Sequence, residues 1–216
     1  DYHYDLYSLP TIDDLKKLLE ETPELEGLNV TIPYKEQVVK FLNEIDPEAK
    51  KIGAVNVIKI KDGKLTGFNT DSSAFYETLE KWFPRTSQSK ALILGTGGSA
   101  KAVQQALKKL SIPFETVSRE KGKANHTYED LENNESIIGG AYLIINTTPL
   151  GMSPNTNTFP PINYELLTPE HYVYDLIYNP ARTLFLQKSE MRGAHIKNGL
   201  EMLHVQAEKA WEIWNN

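Results

Sequence analysis

Ala91-Leu92-Ile93-Leu94-Gly95-Thr96-Gly97-Gly98-Ser99-Ala100 is a continuous apolar run, then a cluster of glycines, then the opening of a helical pattern. Val103, Ala106, Leu107 and Leu110 continue that pattern on one face. Strand, glycine turn and helix in this order fit the dinucleotide fingerprint, with Ala100 in the third position. Gly95 permits the tight turn, and Gly97 lets backbone approach a pyrophosphate. Ala100 allows close helix packing, while Gly98 and Ser99 open the helix whose amides and positive dipole end suit a phosphate. A glycine turn of purely structural use has the same spacing; the strand and helix on either side favour the phosphate. Downstream, Phe114 to Val117, Tyr142 to Ile145 and Tyr172 to Ile177 are further short apolar strands. Polar or helical stretches such as Thr183 to Met191 separate them, and this alternation predicts an α/β fold with a parallel sheet covered by helices.

Upstream the pattern changes. Asp62-Gly63 lies between two alternating runs and predicts a β-hairpin. A helix over about Ser72 to Phe83 follows, then a linker at Pro84 to Ser89 that marks a domain boundary. Nearer the start, Tyr2, Tyr4 and Leu6 alternate as a strand, and Thr11 and Asp14 cap a helix bearing Leu15, Leu18 and Leu19. Leu28 to Ile32 reads as a strand, with a helix starting near Pro33. The chain closes on an amphipathic helix whose stripe carries Leu203, Ala207, Ala210, Trp211 and Trp214, the tryptophans being assigned to the core.

Composition excludes several classes. The 216 residues hold no Cys, which removes disulfide scaffolds, Cys-ligated zinc and thiol nucleophiles, and fits a reducing cytosol. A net charge of −6 is a poor match to nucleic acid or an anionic membrane. The apolar runs fall far short of the roughly 20 residues of a membrane helix, and Asp1 to Asp5 carry no signal-peptide pattern. The five histidines lack paired-ligand spacing, so no metal is expected. Ser87-Gln-Ser-Lys90 matches S-x-x-K in isolation, without the motifs that accompany it in penicillin-binding proteins.

An acid about 20 residues past the fingerprint would favour NAD. Glu115 has that spacing but lies inside a strand, whereas Arg119, Lys121 and Lys123 follow the strand and suit a 2′-phosphate, which points to NADP. A merely solvated charge run is the alternative. In Asn29-Val-Thr31-Ile-Pro33-Tyr-Lys35-Glu36, Lys35 falls in the predicted first helical turn, where the dipole disfavours a cation. Gly67-Phe-Asn69-Thr70-Asp71 places a carboxylate at a helix start, where N-capping by Asp71 or Thr70 is the plain alternative to catalysis. Convergence of Lys35 and Asp71 would create a tunable proton donor.

The strings NVTIPYKE (29–36), GAVN (53–56), GFNTD (67–71), GTGGSAKA (95–102), NTTPLGM (146–152), DLIYNP (175–180) and NGLEML (198–203) together resemble the shikimate dehydrogenase family, in its order. The resemblance runs from Thr11 to Trp214. It implies two domains: a split α/β substrate domain, residues 1–84 with 199–216, and an NADP-binding Rossmann domain, 85–198. It implies reversible NADPH-dependent reduction of 3-dehydroshikimate to shikimate, a cytoplasmic step of chorismate and aromatic amino-acid biosynthesis, by a monomer or homodimer. A quinate/shikimate dehydrogenase using NAD is one alternative, and a non-catalytic nucleotide or metabolite sensor a second.

By the same resemblance Lys35 and Asp71 form the catalytic pair, and Thr31, Asn56, Tyr178 and Gln206 bind substrate. Gly95, Gly97, Gly98, Ser99, Ala100, Ser118, Arg119, Thr147 and Gly199 bind the cofactor, Gly199 at its nicotinamide end. The chain departs from the family at Ser118-Arg119-Glu120, where Asn-Arg-Thr is usual, and Glu120 lowers the expected NADP preference. It also shows no match to the leading strand and serine loop that hold the substrate carboxylate. A segment preceding Asp1 is therefore expected, pairing with an otherwise parallel substrate-domain sheet.

Overall fold

The computed structural model describes residues 2–86 and 89–216. The linker residues Ser87 and Gln88, the first half of the S-x-x-K string, lie outside the described residues, as does Asp1. By packing, the chain parts into two compact units, Asp1–Asn69 with Glu212–Asn216, and Thr70–Trp211.

In the first unit, a 3-10 turn at Ile12–Asp14 leads into α1 (Leu15–Glu21). The Asp14 carboxylate accepts both the Thr11 N–H (2.9 Å) and the Thr11 hydroxyl (2.8 Å). Then come β1 (Gly27–Asn29), β2 (Glu44–Ile45), α2 (Pro47–Ile52), β3 (Val57–Lys61) and β4 (Lys64–Phe68). The sheet order is β1-β3-β4-β2. It is mixed, not parallel as expected: β3 runs antiparallel to β1 and β4, and only β2 is parallel to its neighbour. The two-residue turn after β3 dictates this. Asp62 and Gly63 take φ of 51° and 72°, the left-handed pair that returns a strand directly beside itself. α2 has its own punctuation: Asp46 accepts the Glu48 and Ala49 amides, Pro47 opens the helix, and Gly53 closes it at φ 72°.

Leu15, Leu18, Val38, Val55 and Ile58 form the core of this unit. The Trp214 indole donates to the Ile58 carbonyl at 3.0 Å and lies over Gly27, where a Cβ would sit 2.2 Å from its nitrogen. The strand expected at Tyr2 to Leu6 does not form. These side chains are exposed, Leu6 by 92%, and alternation without a hydrogen-bonded neighbour leaves no strand.

The second unit contains α3 (Asp71–Trp82), β5 (Ala91–Leu94), α4 (Gly98–Lys109), β6 (Phe114–Ser118), β7 (His126–Thr127), α5 (Tyr128–Asn133), α6 (Glu135–Gly139), β8 (Leu143–Asn146), β9 (Tyr172–Asp175), α7 (Leu184–Glu190), β10 (His195–Lys197) and α8 (Leu200–Asn215), the last turn of α8 belonging to the first unit. Its six strands pair entirely in parallel in the order β10-β9-β8-β5-β6-β7. Counted from β5, this is the 3-2-1-4-5-6 order of a dinucleotide-binding sheet.

Side-chain alternation explains why the strands read as unbroken apolar runs. Ala91, Ile93, Leu143, Ile145 and Tyr174 pack on one face with α3 and α4 residues such as Phe75 and Val103. Leu92, Leu94, Ile144 and Val173 pack on the other with Leu131, Ile138 and Phe185. α3 belongs to this unit because Ala74, Phe75 and Leu79 are buried in the same cluster as Val103 and Leu107 of α4. The division by packing thus falls at 69/70, ahead of the linker. Trp211 is 47% exposed and Trp214 is half-buried over Gly27, so neither terminal tryptophan is a buried core residue as expected.

Candidate active site

Within the first unit, two of the sequence strings lie side by side. Val30 N–H donates to Asn56 C=O (2.8 Å) and Val55 N–H donates to Lys35 C=O (2.7 Å). Between these ties, Thr31 to Tyr34 forms a turn closed by Tyr34 N–H to Thr31 C=O (2.9 Å). The Ile32–Pro33 peptide in it is cis, and the Tyr34 hydroxyl donates to the Leu9 carbonyl (2.9 Å). Helix therefore does not begin at Pro33. It begins as a 3-10 turn at Gln37–Phe41, and Lys35 precedes it, so the helix dipole does not act on Lys35 as expected. Lys35 is half-buried, Thr31 is exposed and Asn56 is buried at 3%, its amide donating to Phe68 C=O. Asn69, also buried, donates from its side chain to Ala54 C=O at 2.9 Å.

In the second unit Asp71 is the first residue of α3 and is 5% exposed. Thr70 occupies the N-cap position without a side-chain cap bond.

The glycine turn sits where the strand order reverses, between β5 and β8. Gly95 donates to Val117 C=O (2.9 Å) and takes φ 115°, and a Cβ there would lie 2.5 Å from Thr147 Oγ1. Only glycine fits. Thr147 is tied to the same strand end, its amide (3.0 Å) and hydroxyl (2.7 Å) both donating to Leu94 C=O. Gly97, the N-cap of α4, offers no side chain to the first helical amides, and a Cβ on it would meet nothing within 4 Å. An open approach to uncapped amides at a switch point fits a pyrophosphate. Ala100 is buried and lets α4 pack close.

At the end of β6, Ser118 is buried and its Oγ accepts the Glu120 amide (3.1 Å), while Arg119 is exposed. Lys123 pairs with Glu120 at 2.7 Å, which holds the Glu120 carboxyl below its ordinary range. Glu115 is occupied as well, taking hydrogen bonds from His126 (2.9 Å) and, at 3.0 Å, an ion pair with Lys90. The His126 contact is the main cause that lowers its pKa. Its place near the start of β6 and these two partners remove it as a ribose ligand.

Sequence reasoning passed over a buried network at the ends of β8 and β9. Asp175 Oδ1 accepts from the Asn146 side chain (3.0 Å) and Ile177 N–H (3.1 Å), and its Oδ2 accepts the Thr183 hydroxyl (2.6 Å). Burial pushes the Asp175 carboxyl up to about 6 against the opposing pull of these donors. The available signal was a polar residue ending each of two otherwise apolar runs, Leu-Ile-Ile-Asn146 and Tyr-Val-Tyr-Asp175. Tyr178, three residues on, is 47% exposed. Gly199 donates to Ile177 C=O (3.1 Å), and a Cβ on it would lie 2.0 Å from Leu176 O. Gln206 is half-buried on α8. His171 is a satisfied core residue, its ring accepting the Thr168 amide at 3.0 Å. Among the described residues no three His, Cys, Asp or Glu side chains form a metal-holding group, and no helix is long and apolar enough to cross a membrane.

The strand order, the open glycine turn at its switch point and Thr147 behind it define an α/β protein of the dinucleotide-binding class. The family profile "Shikimate dehydrogenase substrate binding domain" matches residues 1–58, and the NADP(+) shikimate dehydrogenase of Staphylococcus aureus strain Newman is 36% identical over 220 residues, 99% of this chain and 81% of that protein. The chain belongs to the shikimate dehydrogenase family. Among solved structures, a chorismate mutase/shikimate 5-dehydrogenase fusion protein from Clostridium acetobutylicum superposes with TM-score 0.83 at 38% identity, covering 98% of this chain and 79% of that one. Shikimate 5-dehydrogenase from Thermus thermophilus, in complex with NADP(H) and shikimate, gives 0.80 at 30% identity, over 94% and 78%.

Proposed function

We propose that this protein catalyses the reversible NADPH-dependent reduction of 3-dehydroshikimate to shikimate, in the cytoplasm. The observation that carries this reading is the open glycine cradle at the sheet's switch point, in a chain 36% identical along 99% of its length to an NADP(+) shikimate dehydrogenase. NADPH, when bound, supplies the hydride for the ketone carbon. Gly95, Gly97, Gly98, Ser99 and Ala100 hold the pyrophosphate, with Thr147 as the floor of the crevice and Gly199 at the nicotinamide end. Ser118 shapes the turn from which Arg119 meets the 2′-phosphate. By ligand, rather than by packing, residues 1–84 with 199–216 serve substrate and 85–198 serve cofactor, with Gly199 and Tyr178 the exceptions at the boundary.

The Lys35 ammonium stabilises negative charge developing on the ketone oxygen and delivers the proton that makes it a hydroxyl. Asp71 orients the substrate hydroxyl. Thr31, Asn56, Tyr178 and Gln206 position the ring. Steady-state assay of the chain with 3-dehydroshikimate and NADPH tests the reading, with 3-dehydroshikimate plus NADH and quinate plus NAD+ run alongside. Turnover of 3-dehydroshikimate and a preference for NADPH are expected. Binding of either ligand without turnover, or faster turnover of quinate with NAD, overturns it.

A further inference from the structure

We propose that Asp175 is a positioning residue for hydride transfer, holding the cofactor floor at Asn146–Thr148 and the Asp175–Tyr178 turn in one fixed arrangement; this rests on the function proposed above. Asp175, Asn146 and Thr183 are all at most 1% exposed. Each carboxylate oxygen reaches a different segment. Through Oδ1 it holds the Asn146 amide, whose own oxygen accepts the Thr148 N–H (3.0 Å) and hydroxyl (2.6 Å). Thr147 lies between these two residues and backs Gly95. The same Oδ1 accepts Ile177 N–H, and Ile177 C=O in turn accepts Gly199 N–H. Through Oδ2 it holds Thr183, whose oxygen accepts Leu186 N–H at the start of α7.

Stability alone does not require this carboxylate. A charge buried between apolar layers is costly, and similarly shaped apolar groups commonly serve the fold as well. Its distinctive property is that it fixes directions in two loops at once. Those loops carry a crevice residue, Thr147, and a candidate substrate contact, Tyr178, both at the carboxyl ends of parallel strands where such sheets bind ligands.

The test uses the whole chain with Asp175→Asn, Thr183→Val and Thr183→Ser. Hydrogen exchange is followed over residues 146–151 and 175–180, with 91–94 as the internal control. The isotope effect on kcat is measured with NADPH deuterated at the transferred position. Asp175→Asn and Thr183→Val are expected to speed exchange in both loops but not the control, and to lower kcat about tenfold or more while raising the isotope effect, because misalignment slows the hydride step itself. Thr183→Ser, which keeps the hydroxyl, is expected to stay near wild type. An unchanged isotope effect, or exchange that speeds up equally in the control, overturns the proposal. If Asp175→Asn fails to fold, the two Thr183 variants decide. A wild-type chain inactive with 3-dehydroshikimate and NADPH refutes the functional reading instead, while exchange in the two loops still reports whether the network holds them.

Discussion

Arg119 and Lys123 leave the same strand end, yet their surroundings separate them. Lys123 is engaged by Glu120 in an exposed ion pair within the turn, whereas Arg119 is exposed and keeps its fork of donors. Arg119→Ala is therefore expected to raise the NADPH KM by roughly tenfold to a hundredfold, the worth of charge-assisted bonds to a phosphate, and to leave NADH kinetics nearly unchanged. Lys123→Ala should move the NADPH KM much less, and equal effects of the two substitutions would refute the distinction. Glu120→Gln should release Lys123 and widen the preference for NADPH, as a side-by-side cofactor comparison would show. At the reacting centre, Lys35→Ala should lower kcat by about a hundredfold or more with little change in NADP+ affinity, because it acts on charge that forms only in the transition state. Wild-type turnover in that variant would remove Lys35 from the chemistry.

At the level of elements, local signals were legible where the cause was local. The Asp62-Gly63 hairpin follows from two residues that accept positive φ, and both adopt it. The strand Ala91–Leu94 and helix Gly98–Lys109 follow from pattern and glycine placement. The strand over Tyr2 to Leu6 and the helix at Pro33 did not form, because one needs a neighbouring edge and the other is displaced by a turn tied to Asn56 and Val55. Gly199 shows the same limit. Its glycine requirement comes from the Leu176 carbonyl, which no reading of residues 198–203 reveals. Gly199→Ala should cost about 3 kcal/mol, since a Cβ 2.0 Å from a backbone oxygen forces the β9 turn to move. Urea unfolding against wild type checks this, and a loss under about 1 kcal/mol would show that the turn yields freely.

For the whole molecule, Asp175 sets part of the response to pH. Its folded pKa of about 6 lies above its ordinary 3.8, so the folded state binds this proton more tightly. Its contribution to stability is therefore fully present below about 3.8 and is lost as pH rises through about 6. Glu115 acts oppositely. Its lowered pKa, due first to His126, gives stability that is present above 4.5 and lost as pH falls through the folded value. Lowering the pH from 7 to 5 should thus raise the unfolding free energy of the wild type relative to Asp175→Asn by an amount on the order of 1 to 2 kcal/mol. Parallel urea titrations at the two pH values measure it; identical pH dependence in both proteins would show that Asp175 titrates normally.

By itself the sequence determined the class of the fold, the glycine cradle and the residue types offered for proton and hydride chemistry, because these depend on neighbours within a few positions along the chain. The mixed small sheet, the packing of α3 with α4, and the buried network of Asn146, Asp175 and Thr183 come from the folded arrangement alone. Asp175 lies 29 residues from Asn146 and 8 from Thr183. The first bond exists because β8 and β9 lie side by side and the second because the connection after β9 folds back to the start of α7, and no local periodicity encodes which strands become neighbours.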